Sequence, residues 1–239
     1  MKGTAFALLL SVAALNTGPA ATAGARDQSL AAATKRLAQL DRRARAQQDE
    51  RDIENLQRMY GYYLDRAEWD QLADLFASDG TIEFAQRGVY VGKAHIRKFL
   101  DLLGPKGPRA GHVDDHLQLQ IVVHVAPDGR TARLRARELT MGGDLGGRNH
   151  LSEGTYENGL VKQQGVWKLK SVHYYTNLNT DYDKGFGKDA QPIETASTVF
   201  PPDQPPTERY QAYPKAHIPP FHYPNPVTGR PVQYEGDYR

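Results

Sequence analysis

The chain has 239 residues, 39% hydrophobic and 24% charged, with a formal net charge of +2 and no cysteine. That is the balance of an ordinary globular domain with one good core, and near-neutral charge without a run of Lys and Arg interleaved with aromatics argues against a nucleic-acid surface. The lack of thiols removes disulfides, thiolate nucleophiles, Fe–S clusters and Cys-ligated zinc, so stability rests on the core, with oligomerisation as a further source.

At the N-terminus Lys2 supplies positive charge, Ala5 to Leu15 an apolar run and Ala21-Thr22-Ala23 a small-residue cleavage site, the pattern of an export signal over residues 1–23. A retained membrane helix needs roughly 20 apolar residues, and Asn16, Gly18 and Pro19 interrupt this one. The expectation is a periplasmic or secreted protein with no membrane attachment after cleavage. Residues 24–48, rich in Ala, Arg and Gln, are expected to form a leader helix or partner-binding arm with Leu30, Leu37 and Leu40 as its apolar positions. From 49 to 179 helices come first and strands afterwards, the order of an α+β domain. Ile53, Leu56, Met59, Tyr60, Tyr63 and Leu64 recur three and four apart and stripe one helix, at whose end stands Asp65. A carboxylate there opposes the helix dipole and is partly desolvated, so its position asks for an explanation. A second short helix and a strand lead to Phe84, and a third helix spans Lys93 to Leu103 before Gly104-Pro105.

The strands alternate. His116, Gln118, Gln120, Val122 and His124 are expected on one face of a strand, with Leu117, Leu119, Ile121, Val123 and Val125 on the other. Pro127-Asp128-Gly129 turns the chain into Thr131 to Leu139, where Arg133, Arg135 and Arg137 face solvent and Glu138 therefore points inward with Leu134 and Ala136. Apolar neighbours would raise the pKa of Glu138 and make it a proton donor; a structural salt bridge to an arginine is the alternative. Gly142 to Gly147 connects to His150–Asn158, and Val166 to Tyr175 closes the sheet with Trp167, Leu169, Ser171 and His173 on one face. Tyr63, Tyr90, Tyr156 and His173 each join an aromatic body to a polar tip and are candidate pocket-liners for a flat, partly aromatic ligand. His112-Val113-Asp114-Asp115-His116 invites a metal, but histidines four apart on a strand lie too far apart for one site, so no metal and no cofactor are expected. Residues 180–239 hold most of the prolines with Phe200, Tyr210, Tyr213, Phe221, His222 and Tyr223 between them; such a segment forms no ladder, and its aromatics suggest an extended arm docked on the body or on a neighbour.

Tyr60-Gly61-Tyr62-Tyr63-Leu64-Asp65, then Trp69-Asp70-Gln71-Leu72 and Leu75-Phe76-Ala77-Ser78-Asp79-Gly80, resembles the opening of the SnoaL-like branch of the NTF2-like superfamily. The Gly88–Gly92 turn and the Gly165–Leu169 strand fit the same pattern, over about residues 49–179. The resemblance implies a cone-shaped α+β barrel, a strongly curved antiparallel sheet wrapped around the N-terminal helices, which hosts enzymes and binding proteins alike. Within it the chain is similar to scytalone dehydratase-like proteins, and that likeness implies an acid/base pair of Asp65 and His116, with Glu138 as a second carboxylate. Leu64, Phe84 and Met141 stand where those dehydratases have two tyrosines and a second histidine, which makes Phe84 and Met141 further pocket candidates. Two reactions fit: elimination of water, or retro-aldol loss of formaldehyde as in SnoaL-like lyases acting on lignin-derived aromatic dimers. Each needs an acid/base pair moving protons on a hydrophobic, aromatic small molecule. A non-enzymatic binding protein, an isomerase or a hydrolase on the same fold are the competing readings, and family habit implies a homo-oligomer, dimer or trimer.

Overall fold

The computed structural model describes residues 19–232; the apolar run of the expected export signal, in residues 1–18, and residues 233–239 lie outside the described residues. The chain divides into two compact units, residues 1–45 and 46–239. In the first, the leader is helical as its composition implies, and Leu30, Leu37 and Leu40 are exposed. Helix α1 (Pro19–Asp65) does not break at the leader's end: no proline or glycine stands between residues 25 and 60 to stop it. Among the described residues no helix is long and apolar enough to cross a membrane.

The second unit takes its first fastening at Asp49, whose Oδ1 accepts from Lys162 Nζ at 2.5 Å and Trp167 Nε1 at 2.9 Å. Beyond it Ile53, Leu56, Tyr60 and Leu64 are buried, whereas Met59, expected on the same stripe, faces solvent. Then follow α2 (Trp69–Asp74), β1 (Phe76–Phe84), β2 (Val89–Val91), α3 (Lys93–Leu100), β3 (His112–Val125), β4 (Thr131–Asp144), β5 (Asn149–Gln163) and β6 (Val166–Asp181). They form one curved, unclosed sheet in the order β2-β1-β6-β5-β4-β3. It is mixed rather than wholly antiparallel, because β1 runs parallel to β6. The inner face joins the helices in a core that includes Leu72, Phe76, Ile82, Phe99, Leu134 and Leu169.

Bulges change which residues reach that face. In β3 the register shifts between Leu119 and Val122 and Gln120 takes φ 49°. Side-chain parity reverses there, so Ile121, Val123 and Val125 join the inner face with His116 and Gln118, while Leu117 and Leu119 stay outside, each more than 40% exposed. In β6 the ladder shifts opposite Gly159 and Leu160. Trp167 and Leu169 point inward, but so do Val172, Tyr174 and Thr176; Ser171 and His173 are thereby turned to the outer face, against the expectation of unbroken alternation.

The outer face is where the C-terminal arm lies. Tyr210 is buried and its hydroxyl accepts the Thr176 N–H at 2.9 Å, Thr207 donates twice to Glu83, and the Arg135 guanidinium sits 4.0 Å from the centre of the Phe221 ring. The arginines expected in solvent are paired within the sheet: Arg135 with Glu157 and Arg137 with Glu153, both on the neighbouring strand β5. His173 stacks on Tyr175 with ring centres 3.9 Å apart, and burial, with help from His217, pushes its pKa down to about 4. The folded state thus binds fewer protons there than the unfolded chain, whose histidine titrates near 6.5. That contribution is complete above pH 6.5 and is lost as pH falls towards 4. Limited proteolysis of the arm should accelerate over this window in the wild type, and the acceleration should be blunted in His173→Phe.

Candidate active site

Helix α1 ends in an acid with no basic residue in its last turn. Ala67, at φ 50°, turns the chain away, and the stranded carboxylate finds its counterpart on β3: Asp65 Oδ1 accepts the His116 backbone N–H at 2.6 Å and lies 3.2 Å from the His116 Nδ1. Helix and strand come this close because residue 61 is glycine. A β-carbon on Gly61 would lie 2.7 Å from Gln118 Cγ and 2.9 Å from the His116 carbonyl oxygen.

Beside this pair runs a buried chain of amides that ends on Glu138. Asn158 donates to Gln57 at 2.9 Å, Gln57 to Gln118 at 2.7 Å, and Gln118 to Glu138 at 2.9 Å. The Tyr156 hydroxyl at 2.6 Å and Thr140 at 3.0 Å complete three donors on one carboxylate that is 1% exposed. The surroundings of Glu138 are therefore polar and satisfied. Leu134 and Ala136 share its face as expected, but donors from β3, β4 and β5 converge on the carboxylate itself, and among the described residues no arginine pairs with it.

Above Glu138 opens a cavity of about 220 Å³. Its apolar wall is made by Leu64, Trp69 and Phe84, the last stacked on Tyr174 with centres 4.4 Å apart; its polar wall holds His116, Glu138, Thr140, Asp114 and His150. Asp114 stands between the two histidines. Its Oδ1 is 3.7 Å from His116 Nε2, and it converges with the His150 ring over Gly142, where a β-carbon would lie 3.0 Å from Asp114 Oδ1 and 2.4 Å from His150 Cε1. The two rings are driven in opposite directions. Burial alone would push His116 down, but its hydrogen bond to Asp65 and the charges of Glu138, Asp114 and Asp65 outweigh it and hold the imidazole up at about 9. Burial pushes His150 below the ordinary histidine value, and the neighbouring His116 charge pushes the same way against Asp114. At neutral pH the cavity therefore presents one imidazolium and one neutral imidazole. Among the described residues no group of three or more His, Cys, Asp or Glu is disposed to hold a metal ion.

The sequence pattern of the SnoaL-like domain matches residues 45–173, more than half of the chain and all of the elements that build this cavity except the end of β6 and the arm. The protein belongs to the SnoaL-like family. Among solved structures it is similar to one named "Putative Scytalone Dehydratase" from Novosphingobium aromaticivorans, with 25% identity and a TM-score of 0.51 over 64% of this chain and 98% of that one. A hexachlorocyclohexane dehydrochlorinase shares the fold at 18% identity and TM-score 0.51, over 57% of this chain and 90% of that one. No curated protein sequence matches the chain.

On this SnoaL-like frame the expected site residues separate into three groups. Asp65, His116, Glu138 and Phe84 come together: three border the cavity, and Asp65 stands behind His116 at the edge of an adjoining depression. Tyr156 lies beneath, as a donor to Glu138. The remaining four are elsewhere. Tyr63 packs half-buried against the core, and Tyr90 is buried between Phe99 and Phe200 with its hydroxyl donating to the Phe200 carbonyl. Met141 falls on the outward side of β4 by parity, and the β6 bulge puts His173 there too. The second histidine of the cavity is His150, one strand over from Met141 and in register with Gly142. Sequence reasoning passed over it, although His150, Ser152, Gly154 and Tyr156 share the parity that singled out Tyr156. Arg87 and Glu194 were missed as well, and Asp114 entered only within the run weighed for a metal.

Two outcomes test this geometry. In Gly61→Ala, the better helix propensity of alanine contributes about 1 kcal/mol, but overpacking against a backbone carbonyl costs about 1–3 kcal/mol. A net destabilisation in urea, with Asp65 displaced from His116, is expected. For His116, the folded pKa lies above the unfolded one, so its contribution of about 3 kcal/mol is complete below pH 6.5 and is lost as pH rises through about 9. Asp65→Asn should flatten that alkaline loss in pH-dependent unfolding curves.

Proposed function

We propose that this SnoaL-like protein is a cofactor-independent lyase, exported from the cytoplasm, that acts on a hydrophobic aromatic small molecule. The observation that carries the reading is a pair of histidines on one cavity, His116 braced by Asp65 and His150 half-buried two strands away on β5, whose surroundings push their pKa values in opposite directions. Two titratable groups pushed apart in this way are suited to take a proton and to give one in the same turnover. His150, neutral, is the base; His116, charged and backed by Asp65, is the acid; Glu138 holds position through its three donors rather than by giving a proton. In an elimination, His150 removes a proton from carbon, the electron pair forms the double bond, and the departing oxygen leaves as water with the proton of His116. In a retro-aldol cleavage, His150 removes the hydroxyl proton, the carbon–carbon bond breaks to release formaldehyde, and His116 protonates the remaining carbon. The dehydratase name carried by the Novosphingobium structure supports elimination as the first option.

Aryl 2-hydroxyethyl ketones of the form Ar–CO–CH2–CH2OH separate the two, since dehydration yields an absorbing aryl vinyl ketone and cleavage yields formaldehyde and the aryl methyl ketone. His150→Gln and His116→Gln should each lower kcat by about 10²–10⁴-fold with the fold intact. The rate should rise with pH as His150 deprotonates below the usual histidine value and fall as His116 deprotonates near 9. Full turnover in both variants would sink the assignment, and tight binding of such ketones with no product in the wild type would instead mark a binding protein.

A further inference from the structure

The cavity has two charged residues for which the acid/base chemistry has no use. Arg87, in the β1–β2 turn, and Glu194, in the C-terminal arm, both border it with the two histidines. They stand on one wall, because the arm runs alongside the turn: the Gln86 N–H donates to the Glu194 carbonyl at 3.2 Å, and Gln86 bridges to Thr195. Yet no ion pair joins them. Among the described residues neither side chain has a partner, and Arg87 Nε and Glu194 Oε2 are buried without a hydrogen bond. Both residues are half-buried, but a polar atom sealed from water without a hydrogen bond is costly, and a protein keeps one chiefly where a ligand completes it.

We infer that Arg87 and Glu194 form an oxygen-recognition pair that selects an aromatic ring with two adjacent oxygen substituents, Arg87 donating to one oxygen and Glu194 accepting a hydroxyl proton from the other. Arg87 offers donors only and the Glu194 carboxylate offers acceptors, so the ligand must bring an acceptor and a hydroxyl side by side. Anionic ligands fit poorly. Asp114, Glu138 and Glu194 already place three carboxylates at the cavity against two cations, Arg87 and His116. The neighbouring stack of Phe84 on Tyr174 offers the flat apolar wall that a ring needs. Half of the pair comes from outside residues 45–173, so the arm, beyond the family domain, sets which ring is admitted.

This inference rests on reading the cavity as the substrate site, and equilibrium binding tests it without turnover. Catechol, phenol and 1,2-dimethoxybenzene are titrated calorimetrically into the full-length wild type, Arg87→Met and Glu194→Leu. Catechol should bind the wild type about 10-fold more tightly than either analogue. Arg87→Met should erase the advantage over phenol, and Glu194→Leu the advantage over 1,2-dimethoxybenzene. Both variants should melt at or above the wild-type temperature, since each removes a sealed polar atom that lacks a hydrogen bond. Absence of catechol binding, equal binding of the three probes, or selectivity unchanged in the variants overturns the inference; so does a fall of several degrees in melting temperature, which would reveal structural pairing. Loss of the histidine chemistry with selectivity intact would remove the proposed reaction and leave this pair standing.

Discussion

Everything at the inner end of the cone follows from a carboxylate at the wrong end of a helix. The last turn of α1 already carries partial negative charge, and Asp65 adds its carboxylate with no cation in that turn to answer it. The nearest remedy is the start of β3. By accepting the His116 N–H and facing its ring, Asp65 fixes the distance between helix and sheet, orients the imidazole and keeps it charged. The charged ring in turn suppresses protonation of its neighbour His150. Burial does most to keep His150 neutral, and the Asp65–His116 pair sets the other proton state of the cavity.

The Glu138 network is the second support, and it acts differently. Asp65 and His116 are joined by charge, whereas Glu138 is held by neutral donors from three strands and, through Gln118 and Gln57, is tied back to α1. Removing any one donor would leave a buried acceptor unsatisfied, so the network favours a single arrangement of helix against sheet. Gly154 belongs to the same design: a β-carbon there would lie 2.2 Å from the Tyr174 ring, which needs that space to lie against Phe84.

Much of this was legible in the sequence because helical and strand periodicities are local. The stripe on α1, the inward turn of Glu138 and the pairing of Asp65 with His116 need only spacing and a family pattern. What escaped has physical causes. A bulge is one extra residue, invisible in alternation, and it moved His173 to the outer face. His150 depends on strand register, which sets it opposite Gly142 rather than at the aligned position of Met141. Glu194 lies in a proline-rich arm with no periodicity, and only the arm's docked path brings it to the cavity. The pairing of Arg135 and Arg137 is of the same kind, since their acids stand across the ladder on β5.

The bulge at Gln120 has a consequence for how such a protein can change. It divides β3 into two lengths with opposite phase: before it, inward positions hold His112, Asp114, His116 and Gln118; after it, they hold Ile121, Val123 and Val125. Reactive chemistry and hydrophobic floor share a strand yet are inherited as separate blocks. Substitutions on the first block can retune proton transfer with little effect on the oily foundation, and those on the second can alter stability without touching the histidine. Loss of the one bulged residue would couple the blocks again, turning three aliphatic side chains to water at a stroke, so the length of this strand is under tighter constraint than its composition.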